Sequence, residues 1–303
     1  MTGFIGLTRR NLLIYFKDFF AVVFSLLTSI IVFVLYIVFL KGTYVSGIND
    51  MLEGLEPFIE SGNVDTMVSI ILLVGIVGSA LITVPFSCLS TIIKDKENRI
   101  DYDISATPIR RWQIIFSYFV SAVLSAFLVT SVILTAGIVI ISTKGGLHMS
   151  VGAVAAAYGI ILLGSVSATA LFMIPAMFFK SSSASSSFFG ILSASSGFVI
   201  GAYMPLAQFS ENVRTVCYLF PATQITVLFR RTMMEGILQH INDGIGGVDG
   251  GAFAEGIRSS FTFEASLFGR NLSTLEMLLY ILGILLICLA LMVFTYRKTY
   301  KRR

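Results

Sequence analysis

Charge is scarce in this chain. Only 13% of its 303 residues are Asp, Glu, Lys or Arg, against about a quarter in soluble domains. A fold whose whole surface faces water is therefore excluded. Cysteine is equally thin: Cys88, Cys217 and Cys288 are far apart and two of them fall inside apolar runs. Small buried core residues, rather than a disulfide framework or a metal cluster, account for them. The two histidines, His148 and His240, lie outside the apolar runs, so no Ser-His-Asp or H-E-x-x-H arrangement can be assembled locally. No glycine opens a G-x-x-x-x-G-K-[ST] loop, so the chain has no nucleotide-phosphate cradle of its own. Acids and bases are also missing from the middle of the first five apolar runs, and Glu276 stands at the edge of the sixth. Proton relays and ion-coupled carriers place ionisable groups there, so that mode of driving is disfavoured.

What fills the sequence is apolar: 56% of it is hydrophobic. A hydrocarbon core of about 30 Å needs about 20 apolar residues per helix, and six runs qualify: 19–40, 68–93, 112–141, 151–179, 188–204 and 275–296. The expectation is an all-α membrane protein with six transmembrane helices. The first run is too long for a signal peptide and no small-residue cleavage pattern follows it, so it reads as a retained span. Residues 1–18 read as an interfacial helix, with Arg9, Arg10 and Lys17 toward headgroups, or as an extension of the first span. Six spans put both termini on one side. Of the 21 Lys and Arg, fourteen fall in the termini and in the connections on that side, while the loop after the first span carries Asp50, Glu53, Glu56, Glu60 and Asp65. By the positive-inside rule, both termini are expected in the cytoplasm of a cell-membrane protein. The net charge of +4 then needs no nucleic acid to explain it.

The polar exception is KDKENRIDYDISATPIRRWQII, Lys94 to Ile115, between the second and third runs. Residues 94–111 form the one substantial cytoplasmic loop between spans. Asp101, Asp103 and Thr107 stand near a helix start, with Pro108 suited to a first turn that leads through Arg110, Arg111 and Trp112 into the membrane. Lys94, Asp95, Lys96, Glu97 and Arg99 suit docking on a polar protein surface; a solvated loop with interfacial anchors has the same composition. Pro85 and Pro175 can kink the second and fourth spans. In the fifth, Ser193, Gly197 and Gly201 recur every four residues, a stripe that permits close helix packing within the protomer or at a dimer seam.

The charged cluster followed by A-T-P-I-R-R-W, Ala106 to Trp112, resembles the coupling loop of ABC-2 type transporter permeases. Glu97, Arg99, Thr107, Pro108, Ile109 and Arg110 stand at matching positions, while Ile100 and Asp101 replace the usual Gly-Thr and Ser117 a frequent lysine. A second similarity is FPATQITVLFRRTMMEG, Phe220 to Gly236. There the resemblance implies external re-entrant half-helices over 205–236, with Pro221, Arg230, Arg231 and Glu235 meeting headgroups or closing an outer gate. Beyond it, 237–271 departs as a long glycine-rich external loop; Asp243 and Asp249 are wrongly spaced for an EF-hand, so the loop reads as flexible.

The resemblance implies an ABC-2, type V exporter-like architecture with Lys94, Glu97, Arg99, Asp101, Thr107, Pro108, Arg110 and Arg111 coupling to a separate ATPase subunit. ATP and Mg would be held by that subunit, with no cofactor on this chain, and a second permease, identical or homologous, would complete the pore. A drug, antibiotic, peptide or lipid-like cargo is expected. A polysaccharide or glycolipid permease, and a non-transporting membrane enzyme or sensor partner, are the alternatives.

Overall fold

The computed structural model describes residues 2–52, 54–55, 59, 62–143, 146, 148–246, 248–267 and 269–299. Glu53, Glu56, Glu60, Lys144 and the basic residues Lys301, Arg302 and Arg303 lie outside them, as do the side chains of Arg297 and Lys298.

The chain is a helical bundle. Helix α1 (Thr2–Lys17) leads into a long helical rod broken at Leu26: α2 (Phe19–Ser25), α3 (Leu27–Leu35), a wider π turn at Tyr36–Leu40 and α4 (Lys41–Met51). Then come α5 (Asn63–Cys88), α6 (Ser90–Glu97), α7 (Ile100–Ala106), α8 (Arg111–Ser142), α9 (Val151–Ala176) and α10 (Ser182–Val199). The last part holds α11 (Glu211–Leu219), α12 (Pro221–Ile245), α13 (Ala252–Ser260), a two-residue antiparallel hairpin of β1 (Ser266–Leu267) and β2 (Arg270–Asn271), and α14 (Thr274–Thr299).

Among the described residues, five helical stretches are long and apolar enough to cross a membrane: Phe19–Met51, Asn63–Glu97, Arg111–Ser142, Val151–Ala176 and Thr274–Tyr296. The fifth expected span falls on α10, an 18-residue helix that is not among them. Its eight serines lower its apolar content. The first stretch overshoots expectation. At about 1.5 Å per residue it is about 50 Å long, so α4 projects beyond a 30 Å core.

Local chemistry sets the breaks. Pro85 has no amide to give to Leu81, and the turn tightens at Leu89, whose N–H reaches both Pro85 and Phe86 carbonyls before α6 resumes. Pro175 sits one residue from the end of α9 and stops the helix instead of kinking it mid-span. Thr107, forced into the extended region by Pro108, ends α7 (φ −71°, ψ 157°). Pro108 thus lies between two helices and not in a first turn, and α8 starts at Arg111 with Arg110 as its cap.

Helix α5 is the hub, wrapped by α3, α8, α9, α10 and α12. A methyl group on Gly78 would lie 2.7 Å from the hydroxyl of Thr226, so the missing side chain on α5 is what lets the Thr226 side chain of α12 pack there. Two apolar clusters fill the bundle. One joins Ile48, Leu134, Phe229, Ile257 and Met277; the other joins Tyr15, Phe86, Ile92, Tyr118, Phe172 and Met292 around the polar segment. The first includes the region expected to be a re-entrant half-helix and a flexible loop. α12 instead continues for 25 residues, and Phe253, Ile257, Phe261 and Phe263 of the following segment are buried under it. Asp249 caps α13, accepting the N–H groups of Gly251 and Phe253 at 3.0 and 2.9 Å.

Candidate functional site

Four successive ionic residues end α6, and a helix turns about 100° per residue, so they leave it in four directions. Each meets a different part of the chain. Lys94 donates to Asp18 at 2.7 Å, and Asp18 in turn accepts the Ala21 N–H at 3.0 Å to cap α2. Asp95, only 3% exposed, accepts both terminal nitrogens of Arg10 from α1 at 2.6 and 2.7 Å and the Tyr118 hydroxyl of α8 at 2.5 Å. Lys96 donates to the Met177 carbonyl at the end of α9. Glu97 accepts the N–H of Ser182 at 3.0 Å, and its hydroxyl, at the start of α10.

The signs match the helix ends. A cation sits on the carbonyl end of α9 and a carboxylate on the amide end of α10, which is the favourable polarity in both cases. The hydrogen bond from Lys94, then that from the Ala21 amide, holds the Asp18 carboxyl below its ordinary range. Asp95 raises the pKa of Arg10, outweighing burial. All four ionic groups are therefore tied to the chain's own elements, Asp95 in the interior and Glu97 at the surface.

The outward face begins at Arg99, a non-glycine residue at φ +61° that turns the chain from α6 into α7. Ile104, 7% exposed, anchors α7 to the bundle. Tyr102 (71% exposed), Asp103, Ser105, Thr107, Pro108 and Arg110 face out. Asp101 is half-buried, with one carboxylate oxygen unpartnered, and burial pushes its carboxyl upward. The Arg110 N–H donates to the Gln113 side chain at 3.1 Å, closing the start of α8.

The sequence-based expectation thus divides. Arg99, Thr107, Pro108, Arg110 and Arg111 are exposed; Lys94 and Glu97 are spent on the chain's own elements. Arg10 meets Asp95 and not a headgroup. Asp18, Tyr118 and Ser182 were missing from the expected site, because a sequence shows a charge but not the distant residue that will receive it.

At the other end, Arg230 is not at a membrane surface. It is 5% exposed, donates once, to the Thr262 carbonyl at 2.9 Å, and its Nε has no partner. Arg231 donates to the Phe263 carbonyl and to the Thr274 hydroxyl, the latter at 2.9 Å. Glu235 pairs with Arg258 at 2.8 Å, and Pro221 is buried as the first residue of α12. These residues tie α12 to the segment that follows it.

The three residues of the small-residue stripe have different surroundings, all within this chain. Ser193 hydrogen-bonds to Thr28 of α3. Gly197 is covered by the chain's own Tyr203, whose ring carbons a methyl group would approach to 2.4 Å. Gly201, at φ +72°, lies past the end of α10 and reverses the chain. Gly197→Leu is expected to expel the Tyr203 ring and cost about 2 kcal/mol by overpacking, seen as a lower unfolding temperature. An unchanged temperature would show that the ring swings aside freely.

A family profile described as ABC-2 family transporter protein matches residues 56–296. No curated protein and no solved structure matches the chain. The matched region runs from the loop before α5 to the last described side chain of α14 and contains both the α6–α7 polar segment and α12. With its apolar helices and this match over most of its length, the chain belongs to the ABC-2 family of transporter permeases.

Proposed function

We propose that this multi-pass protein is the membrane subunit of an ATP-driven exporter, and that α7 is where a separate ATPase subunit docks. The observation that carries the proposal is the junction of α6 and α7. An exposed helix continues, through one left-handed residue, into four ionic residues that hold α1, α2, α8, α9 and α10. A push on α7 therefore reaches five helices at once. Both termini are cytoplasmic in this reading, on the α7 side, and a second permease completes the path. ATP and Mg belong to the ATPase.

A hydrophobic or amphiphilic cargo suits the chain. A groove of about 280 Å³ between α2, α5, α6 and α10 is lined by Phe20, Phe24, Phe86 and Phe189 together with the Asp18–Lys94 ion pair. Apolar walls beside a neutralised charge pair accommodate a greasy body with a polar head.

The test is co-purification with a candidate ATPase subunit. Arg99→Ala with Tyr102→Ala and Arg110→Ala, all on the outward face, should lose the ATPase while still inserting in the membrane. Glu97→Ala should retain it, since Glu97 faces Ser182. Retention by the triple variant would overturn α7 as the docking element.

A further inference from the structure

The chain has two histidines, 92 positions apart in sequence, and the fold stacks one on the other. The rings of His148, in the α8–α9 connection, and His240, on α12, are 3.9 Å apart and inclined by 20°. Beside them, the backbone carbonyl of His148 lies against Gly236, where a methyl group would come within 1.9 Å of the oxygen. Only glycine allows that approach. His148 itself is held at φ +44°, a conformation that a non-glycine residue adopts at a cost. Two contacts, one of rings and one of backbone, thus clip the connection onto the buried helix α12.

The pair lines a cavity of about 480 Å³ with Glu235 and Asp243 of α12. Arg258 of α13 reaches Glu235 at 2.8 Å, and the start of α9 contributes only uncharged Ser150 and Ala153. The stack argues against a shared metal ion. Imidazole lone pairs lie in the ring plane, and nearly parallel planes 3.9 Å apart cannot both direct one to an ion at about 2.1 Å. A proton has no such requirement.

We propose that His148 and His240 form a proton-operated latch that holds the α8–α9 connection to α12 when at most one ring is charged and releases it when both are. Imidazole ordinarily changes charge between about pH 5 and 8. The first proton gives a cation stacked on a neutral ring near two carboxylates, which is tolerated. The second places like charges face to face, and with Glu235 taken up by Arg258 only Asp243 is left to offset two imidazolium rings. The latched state therefore holds fewer protons than the released one, so acid favours release. With the orientation proposed above, the latch faces the outside, where pH varies; the clip itself exists whichever side it faces.

The experiment uses the full chain in lipid nanodiscs. Ring NMR signals, assigned with His148→Gln and His240→Gln, should titrate in two steps. The second proton of the wild type should bind about tenfold more weakly, about one pH unit lower, than the proton of the remaining histidine in either single variant. Amide exchange at residues 148–150, corrected for intrinsic rate, should accelerate at least about tenfold from pH 7.5 to 5.5 in the wild type and be independent of pH in His240→Gln. Gly236→Ala, which breaks the clip without altering charge, should show the acid-state exchange already at pH 7.5 while α5 amides stay protected. Identical titrations in wild type and variants, an equal acid response in His240→Gln, or an unaltered connection in Gly236→Ala would each overturn the latch.

Discussion

Asp95→Ala should lower the stability of the bundle by about 2–3 kcal/mol. Its carboxylate accepts three hydrogen bonds, two from Arg10 and one from Tyr118, and is almost fully buried. Removing one member of a buried pair costs about 3–5 kcal/mol because the other charge is left behind. The expected value is lower because the Arg10 side chain is 30% exposed and water recovers part of its solvation. Asp95→Asn keeps an acceptor for Tyr118 and should lose about half as much. The measurement is unfolding of the purified chain in detergent by SDS titration, with Arg10→Ala and the double variant completing a cycle. A loss below about 0.5 kcal/mol for Asp95→Ala would show that α1 is held by its apolar face alone. Acid should test the same end of the molecule: the Asp18 carboxylate, held low by Lys94, contributes stability at neutral pH and loses it only as pH falls through its depressed range.

Arg230→Met should have the opposite sign. The guanidinium is buried with a single hydrogen bond and, among the described residues, no carboxylate at ion-pair distance. An unpaired buried cation is costly to desolvate, and an apolar side chain of similar length in its place removes that cost. Here the Thr262 carbonyl loses its donor, so a net gain of about 1 kcal/mol is expected. If the variant is more stable and export falls, the charge is retained for transport at a cost to the fold. Destabilisation by more than about 2 kcal/mol would instead make Arg230 a structural tie to the segment around Thr262.

The long apolar runs were easy to see because lipid imposes their length: the run 112–141 lies inside α8, and 275–296 inside α14. Helix α12 was hard to see. The apolar run in which it begins, Leu219 to Phe229, is too short to cross, and its continuation carries Arg230, Arg231, Glu235 and His240. Arg231, Glu235 and His240 meet residues 23 to 92 positions away, Phe263, Arg258 and His148, which no local window reports. The segment 94–111 was legible as polar, but its division was not. That Lys94 to Glu97 are held by the chain's own elements while Tyr102 stands out on the next helix depends on the single left-handed turn at Arg99.

The serine content of α10 bears on how the protein is made. A helix with eight serines in 18 residues gains little from lipid when the translocation machinery samples it alone. α9 ends five residues before it, at Ala176, and is apolar enough to insert by itself. The partners that the α10 serines need come from the bundle: Thr28 of α3 meets Ser193 and Glu97 of α6 takes the Ser182 hydroxyl. Seating of this polar helix is therefore expected to depend on helices earlier in the chain.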